Sequence, residues 1–162
     1  MMDKGVKRCR HPAGVAAVGA CLASGDAALA DPLALSGPVS DAGDFSLAQL
    51  ESMAASTVTV GTNSYTGVSL WSLLGGTSTG TSDVIVSSDK NAILRDYIVA
   101  TGSNGAKSLI SLGELDPFFG GTGQPILVAY QENGNPLSSL QLIVPQDPTG
   151  TRDIAGLRRR MA

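Results

Sequence analysis

Glu114 and Asp116 are the pair in this 162-residue chain whose type and spacing point most directly to chemistry. Two carboxylates so close can share acid–base work or hold a hard cation. Their context, Leu112-Gly113-Glu114-Leu115-Asp116-Pro117, also reads as a turn bearing solvent-facing acids, and that is what we expect. Gly120-Gly121-Thr122-Gly123 offers backbone N–H groups to an anion. It lacks the lysine and the strand–loop–helix frame of a phosphate loop, and so reads as an ordinary loop. Trp71, Phe118 and Phe119 read as core residues, not as a platform for a ligand.

Thiol and imidazole chemistry is confined to the first thirty residues, which hold Cys9, Cys21 and His11. That segment has Lys4, Lys7, Arg8 and Arg10 against Asp3, then an Ala/Gly/Val run over residues 12–23, then Ala28-Leu29-Ala30. A basic head, a short apolar middle and a small-residue exit are the marks of a secretory signal peptide. Residues 1–30 are therefore predicted to be removed, leaving 31–162 as a single domain with Asp31 at its start. A competing reading takes Val18-Gly19-Ala20-Cys21 as a lipoprotein cleavage box, with Cys21 lipidated and the protein held at a membrane surface. On the first reading, zinc sites built on Cys or His and nucleophilic triads are excluded from the mature chain. It would carry seven basic and twelve acidic residues, net −5, with Arg158, Arg159 and Arg160 at the extreme end. An acidic surface of this kind argues against a nucleic-acid groove. No later run is long and apolar enough to span a bilayer, so the mature protein is expected to be soluble, and periplasmic or secreted.

The elements that would carry any site are short. The chain is 43% apolar and 15% charged, with 20 Gly and 8 Pro, the composition of one modest, turn-rich globular domain. Ser46 and Gln49 form a capping box for a helix running to about Met53. Residues 57–60 alternate as a strand ended by Gly61. Ser69 caps a second helix that Gly75-Gly76 terminates. After a Thr/Ser/Gly stretch at 77–82, residues 83–87 read as a buried strand. Residues 96–101 and 107–112 alternate on either side of Ser103-Asn104-Gly105 as a hairpin. A helical turn over 113–119 follows, then strands at 125–131 and 140–144 about the turn Glu132-Asn133-Gly134-Asn135. Six or so strands and three short helices make a mostly β, α+β domain.

The order of segments resembles a known family. Thr66-Gly67-Val68-Ser69-Leu70-Trp71-Ser72-Leu73-Leu74, then Asp96-Tyr97-Ile98-Val99-Ala100-Thr101-Gly102-Ser103-Asn104-Gly105, Ser111-Leu112-Gly113-Glu114-Leu115-Asp116-Pro117, Ile126-Leu127-Val128-Ala129-Tyr130 with Asn133-Gly134-Asn135-Pro136-Leu137, and Leu142-Ile143-Val144-Pro145 are similar to the oxidoreductase molybdopterin-binding domain of the sulfite oxidase type. The resemblance covers about residues 35–157. It implies that family's mixed-sheet fold and a pocket descended from one that holds a molybdenum–pterin cofactor.

The departures bear on function. Enzymatic members ligate molybdenum through a cysteine just before the segment matching 66–74, and here that stretch is Thr59-Val60-Gly61-Thr62-Asn63-Ser64-Tyr65. A soft metal already held by a dithiolene calls for a soft anionic ligand, which Asn63 and Ser64 cannot supply. The cofactor's phosphate would need cationic forks; the resemblance points to Arg95 and Arg152, each with a plain alternative as an ion-pair partner of neighbours such as Asp96 or Asp153. Lys7-Arg8-Cys9-Arg10 contains no twin-arginine pair, so export is expected by the general secretory route, which moves unfolded chain and would lose a cofactor loaded beforehand. The resulting expectation is an exported, non-catalytic domain that has lost the ligating cysteine, has no cofactor, and binds a small ligand or an envelope protein. The alternative is a molybdopterin-dependent oxidoreductase that holds the pterin through Asn63, Ser64, Arg95 and Arg152 without a thiolate. An accessory protein of the envelope is not separated from the first reading by sequence.

Overall fold

A computed structural model describes residues 32–86, 88–120, 123–147 and 149–157. The signal-peptide and lipobox readings, the Arg158–Arg160 end and Gly121-Thr122 lie outside the described residues. Within them the fold is mostly β, with three short α-helices, as expected for an α+β domain.

The chain opens with a small hairpin, β1 (Leu33–Leu35) and β2 (Gly43–Phe45). Helix α1 (Leu47–Ser52) begins at Ser46, whose hydroxyl accepts from the Gln49 amide while the Gln49 side chain accepts from the Ser46 amide. This reciprocal box satisfies two donors that a helix start otherwise leaves orphaned. Strands β3 (Ala55–Val60) and β4 (Asn63–Ser69) follow, then α2 (Leu70–Leu73), capped by the Ser69 hydroxyl on the Ser72 amide. A 3₁₀ turn (Ala92–Arg95) leads into the hairpin β5 (Tyr97–Thr101) and β6 (Lys107–Ser111). Helix α3 (Leu112–Leu115) starts one residue before the predicted turn because the Ser111 hydroxyl caps the Gly113 amide. Strands β7 (Leu127–Glu132), β8 (Asn135–Ile143) and β9 (Ile154–Ala155) complete the chain.

Five strands form one antiparallel sheet in the order β3-β4-β7-β8-β9. Its register carries Val68, Val128, Leu142 and Ile154 across four strands on one face. That face packs on Leu33, Leu50, Leu70, Ile98, Ile110 and Leu112 to make the main core. The opposite face holds a smaller cluster of Val58, Leu127, Ala129 and Ile143. Gly67 is required at the β4–β7 contact, since a Cβ there would lie 2.1 Å from the Val128 carbonyl oxygen. No helix of the described residues is long and apolar enough to cross a membrane.

Two expectations are corrected. The buried strand over residues 83–87 does not form: Val84 makes one isolated bridge to Val39, while Ile85 is 62% and Val86 38% exposed, and Ser87 lies outside the described residues. Among the described residues the segment bonds Leu74 through the Asp83 amide and the 38–40 stretch through Asp83, Val84 and Ile85, too few partners for a ladder, and its consecutive apolar run has no second face to bury. Phe118 and Phe119 are not core. They stand 77% and 45% exposed and stack edge-to-face on each other, whereas Trp71 is buried and donates from its indole N–H to the Thr77 carbonyl.

Candidate functional site

Asn63 and Ser64 open β4 at the end of the sheet where the β3–β4 and β7–β8 turns meet. The Ser64 amide donates to Asn133 Oδ1 at 2.9 Å, the Asn133 amide to the Ser64 carbonyl at 2.7 Å, and Asn133 Nδ2 to Asn63 Oδ1 at 3.3 Å. Asn133 sits in the left-handed region, φ 51°, as the first central residue of the Asn133-Gly134 turn. Both candidates are thus engaged in clipping two hairpin turns together. Beside them Tyr65 donates to Glu132 Oε1 at 2.9 Å; burial, chiefly, raises the Tyr65 pKa.

Arg152 lies on the β8–β9 loop. Its Nη1 donates to Glu114 Oε1 and Oε2 at 2.9 and 3.0 Å, and its Nε is 3.9 Å from Asp147 Oδ2. Glu114 is therefore held by an arginine 38 residues away and not simply solvated. Asp116 is 1% exposed, with Oδ1 accepting from the Phe118 amide, so the reading of both acids as solvent-facing is overturned. Arg95 pairs with Asp89 at 3.3 Å, not with Asp96, and both side chains are well exposed. No hydrogen bond or ion pair among the described residues gathers Arg95, Arg152 and the Asn63–Ser64 clip around one space. As arranged, these residues do not fit a molybdenum–pterin group, and no step is derived through one.

A different place has the form of a site. A cleft of about 360 Å³ lies between the β1 region and β5. Its apolar floor is Leu74 and Leu112, both buried; Leu35, Val39 and Val84 make one wall, and Asp96, Tyr97 and Val99 the other. Volume and lining are those of a small-ligand pocket. Asp96 is half-buried, and among the described residues its carboxylate has no hydrogen-bond or ion-pair partner. Tyr97 is 57% exposed.

The backbone of the β5 wall is also open. The Asp96 carbonyl accepts from the Leu112 amide at 3.0 Å, and the Gly102 amide donates to the Ala106 carbonyl at 2.8 Å. With the β5–β6 register, these bonds make 96, 98, 100 and 102 the positions that face β6. The N–H and C=O groups of Tyr97 and Val99 therefore point outward, and no described residue meets them; past Thr101 the same side is taken by the chain itself, where Leu157 bridges Gly102 and the Ser103 amide donates to the Gly156 carbonyl. Sequence reasoning found this hairpin but not the cleft. The available signal was the alternation itself, which puts Tyr97 and Leu109 on the solvent face of an apolar hairpin.

Against models of known protein families the chain gives no match, and no curated protein matches it.

Proposed function

We propose that the chain is an exported, non-catalytic binding domain, similar in segment order to the oxidoreductase molybdopterin-binding domain, that uses the cleft between β1 and β5 to hold a small apolar ligand or a short stretch of an envelope protein. The observation that carries this reading is the cleft: buried leucines at its floor and, at its rim, a carboxylate and backbone groups without partners among the described residues. Saturable enhancement of Nile red fluorescence, abolished in Val39→Glu while the far-ultraviolet circular dichroism is retained, is the expected result. Dye binding that is equal in both proteins would remove the cleft from consideration.

The five-segment resemblance favours a second reading, a molybdopterin-dependent oxidoreductase without a protein thiolate. Elemental analysis for molybdenum, with pterin fluorescence after oxidation, on protein isolated from its native envelope decides between the two. Near-stoichiometric metal and pterin would overturn the binding-domain reading.

A further inference from the structure

We infer that the cleft is a strand-addition site, in which an extended segment of a partner protein, apolar with at least one basic side chain, pairs with the outer edge of β5. This rests on the binding-domain reading and names the partner's chemistry.

Three features converge on the same wall. The first is the unpaired edge: Tyr97 and Val99 each present an outward N–H and C=O in the cleft wall, with no described residue bonded to them. An open edge is a template for another chain, and proteins ordinarily cover, charge or twist it. At its far end this edge is covered by the chain itself, where Leu157 bridges Gly102 and the Ser103 amide donates to the Gly156 carbonyl; at Tyr97 and Val99 no described residue covers it, and it faces an apolar trough.

The second feature is that trough. Strand addition takes its affinity from main-chain hydrogen bonds and its selectivity from pockets that accept alternate side chains. Leu35, Val39 and Val84 stand across the cleft from β5 with Leu74 and Leu112 below, so alternate side chains of an added strand would meet aliphatic surface.

The third is charge. Asp96 stands where the added strand would run past the start of β5, and its carboxylate has no partner among the described residues. Arg95, the nearest cation in sequence, is committed to Asp89. A lysine or arginine on the incoming segment would complete Asp96, which selects a basic–apolar segment over an acidic one.

The test uses the full protein and a synthetic peptide, acetyl-Lys-Val-Thr-Val-Thr-Val-amide, followed by amide-resolved NMR titration. Shifts centred on the Tyr97 and Val99 amides are expected. Val99→Pro removes an outward N–H that β6 does not use and is tolerated at a strand edge. It should weaken the peptide roughly tenfold or more while the far-ultraviolet circular dichroism is retained. Asp96→Asn should weaken the lysine peptide but not its norleucine analogue. A peptide N-methylated on alternate amides keeps its side chains but cannot pair along one edge, and should not bind. Equal binding of that peptide would overturn strand addition, as would Nile red binding with no peptide binding, an outcome that leaves the binding-domain reading standing. Loss of Nile red binding as well would instead remove that reading. Peptide binding seen only in a variant ending at Leu157 would assign the edge to the chain's own C-terminal residues and overturn the partner proposal.

Discussion

Asp147 and Asp153 sit on one loop and are perturbed in opposite directions. The Asp147 carboxylate accepts from the hydroxyls of Thr151 and Thr149 and from the amides of Thr149 and Arg152. These donors, the Thr151 hydroxyl foremost, hold its pKa well below the ordinary value of 3.8. Asp153 is raised, chiefly by burial and further by repulsion from Asp147, against the lowering effect of its bond from the Val144 amide at 2.7 Å. A depressed folded-state pKa contributes stability that is complete above the unfolded carboxylate value and is lost as pH falls below it. Asp147→Asn should therefore melt below wild type at neutral pH, and the gap should close in acid. A raised pKa has the reverse sign, since the ionised form is disfavoured in the fold until protonation removes the cost. Asp153→Asn, whose amide oxygen can still accept from Val144, should melt above wild type at neutral pH and converge with it in acid. Thermal melts of the three proteins across this range check both signs. None of this was legible in the sequence. Arg152 was assigned a phosphate, or Asp153 beside it, yet its Nη1 bonds Glu114, and sequence spacing does not encode a partner brought in by the β8–β9 loop.

At the scale of elements, what could be read was local. The Ser46–Gln49 box, the Ser69 cap, the β5–β6 hairpin and the Asn133-Gly134 turn each depend on residues a few positions apart, and each formed as expected. Strand β4 was missed because Asn63-Ser64-Tyr65-Thr66-Gly67-Val68-Ser69 has no apolar run; it is a strand because β3 and β7 pair with it on both sides. The run at Val84-Ile85-Val86 was over-read for the converse reason, a strand-like composition that finds a single isolated bridge, to Val39, and no continuous ladder among the described residues. The clip at the far end of β4 has a measurable consequence. Asn133→Ala removes the Oδ1 acceptor for Ser64 and the Nδ2 donor to Asn63, and puts alanine at a positive φ. The loss should be about 2 kcal/mol in urea unfolding. Asn133→Gly keeps the backbone geometry and should recover part of it. At the other end of the strand, Gly67→Ala should cost about 1–3 kcal/mol, because the new methyl meets backbone that cannot rotate away.

The whole molecule is held together by the last described residues. After β9 pairs with Gln141 and Leu142 of β8, the chain crosses to the other sheet: the Ser103 amide donates to the Gly156 carbonyl at 2.7 Å, Leu157 bridges Gly102, and the Leu157 amide donates to the Leu140 carbonyl at 2.9 Å. Four residues thus connect the five-stranded sheet to the β5–β6 hairpin that forms one wall of the cleft. The count of strand-like segments announced a mostly β domain, but it could not announce this seam, since the sheet order β3-β4-β7-β8-β9 skips the hairpin and returns. Leu157 is 3% exposed within the main core. Leu157→Ala should cost about 2–5 kcal/mol globally. Its position makes a further demand. If the seam fixes the hairpin against the sheet, amide exchange in β5 and β6 should accelerate more than in β7 and β8, which keep their own ladder. Hydrogen exchange on Leu157→Ala reads this directly, and uniform acceleration across all four strands would mean that the hairpin is held by the core and not by the seam.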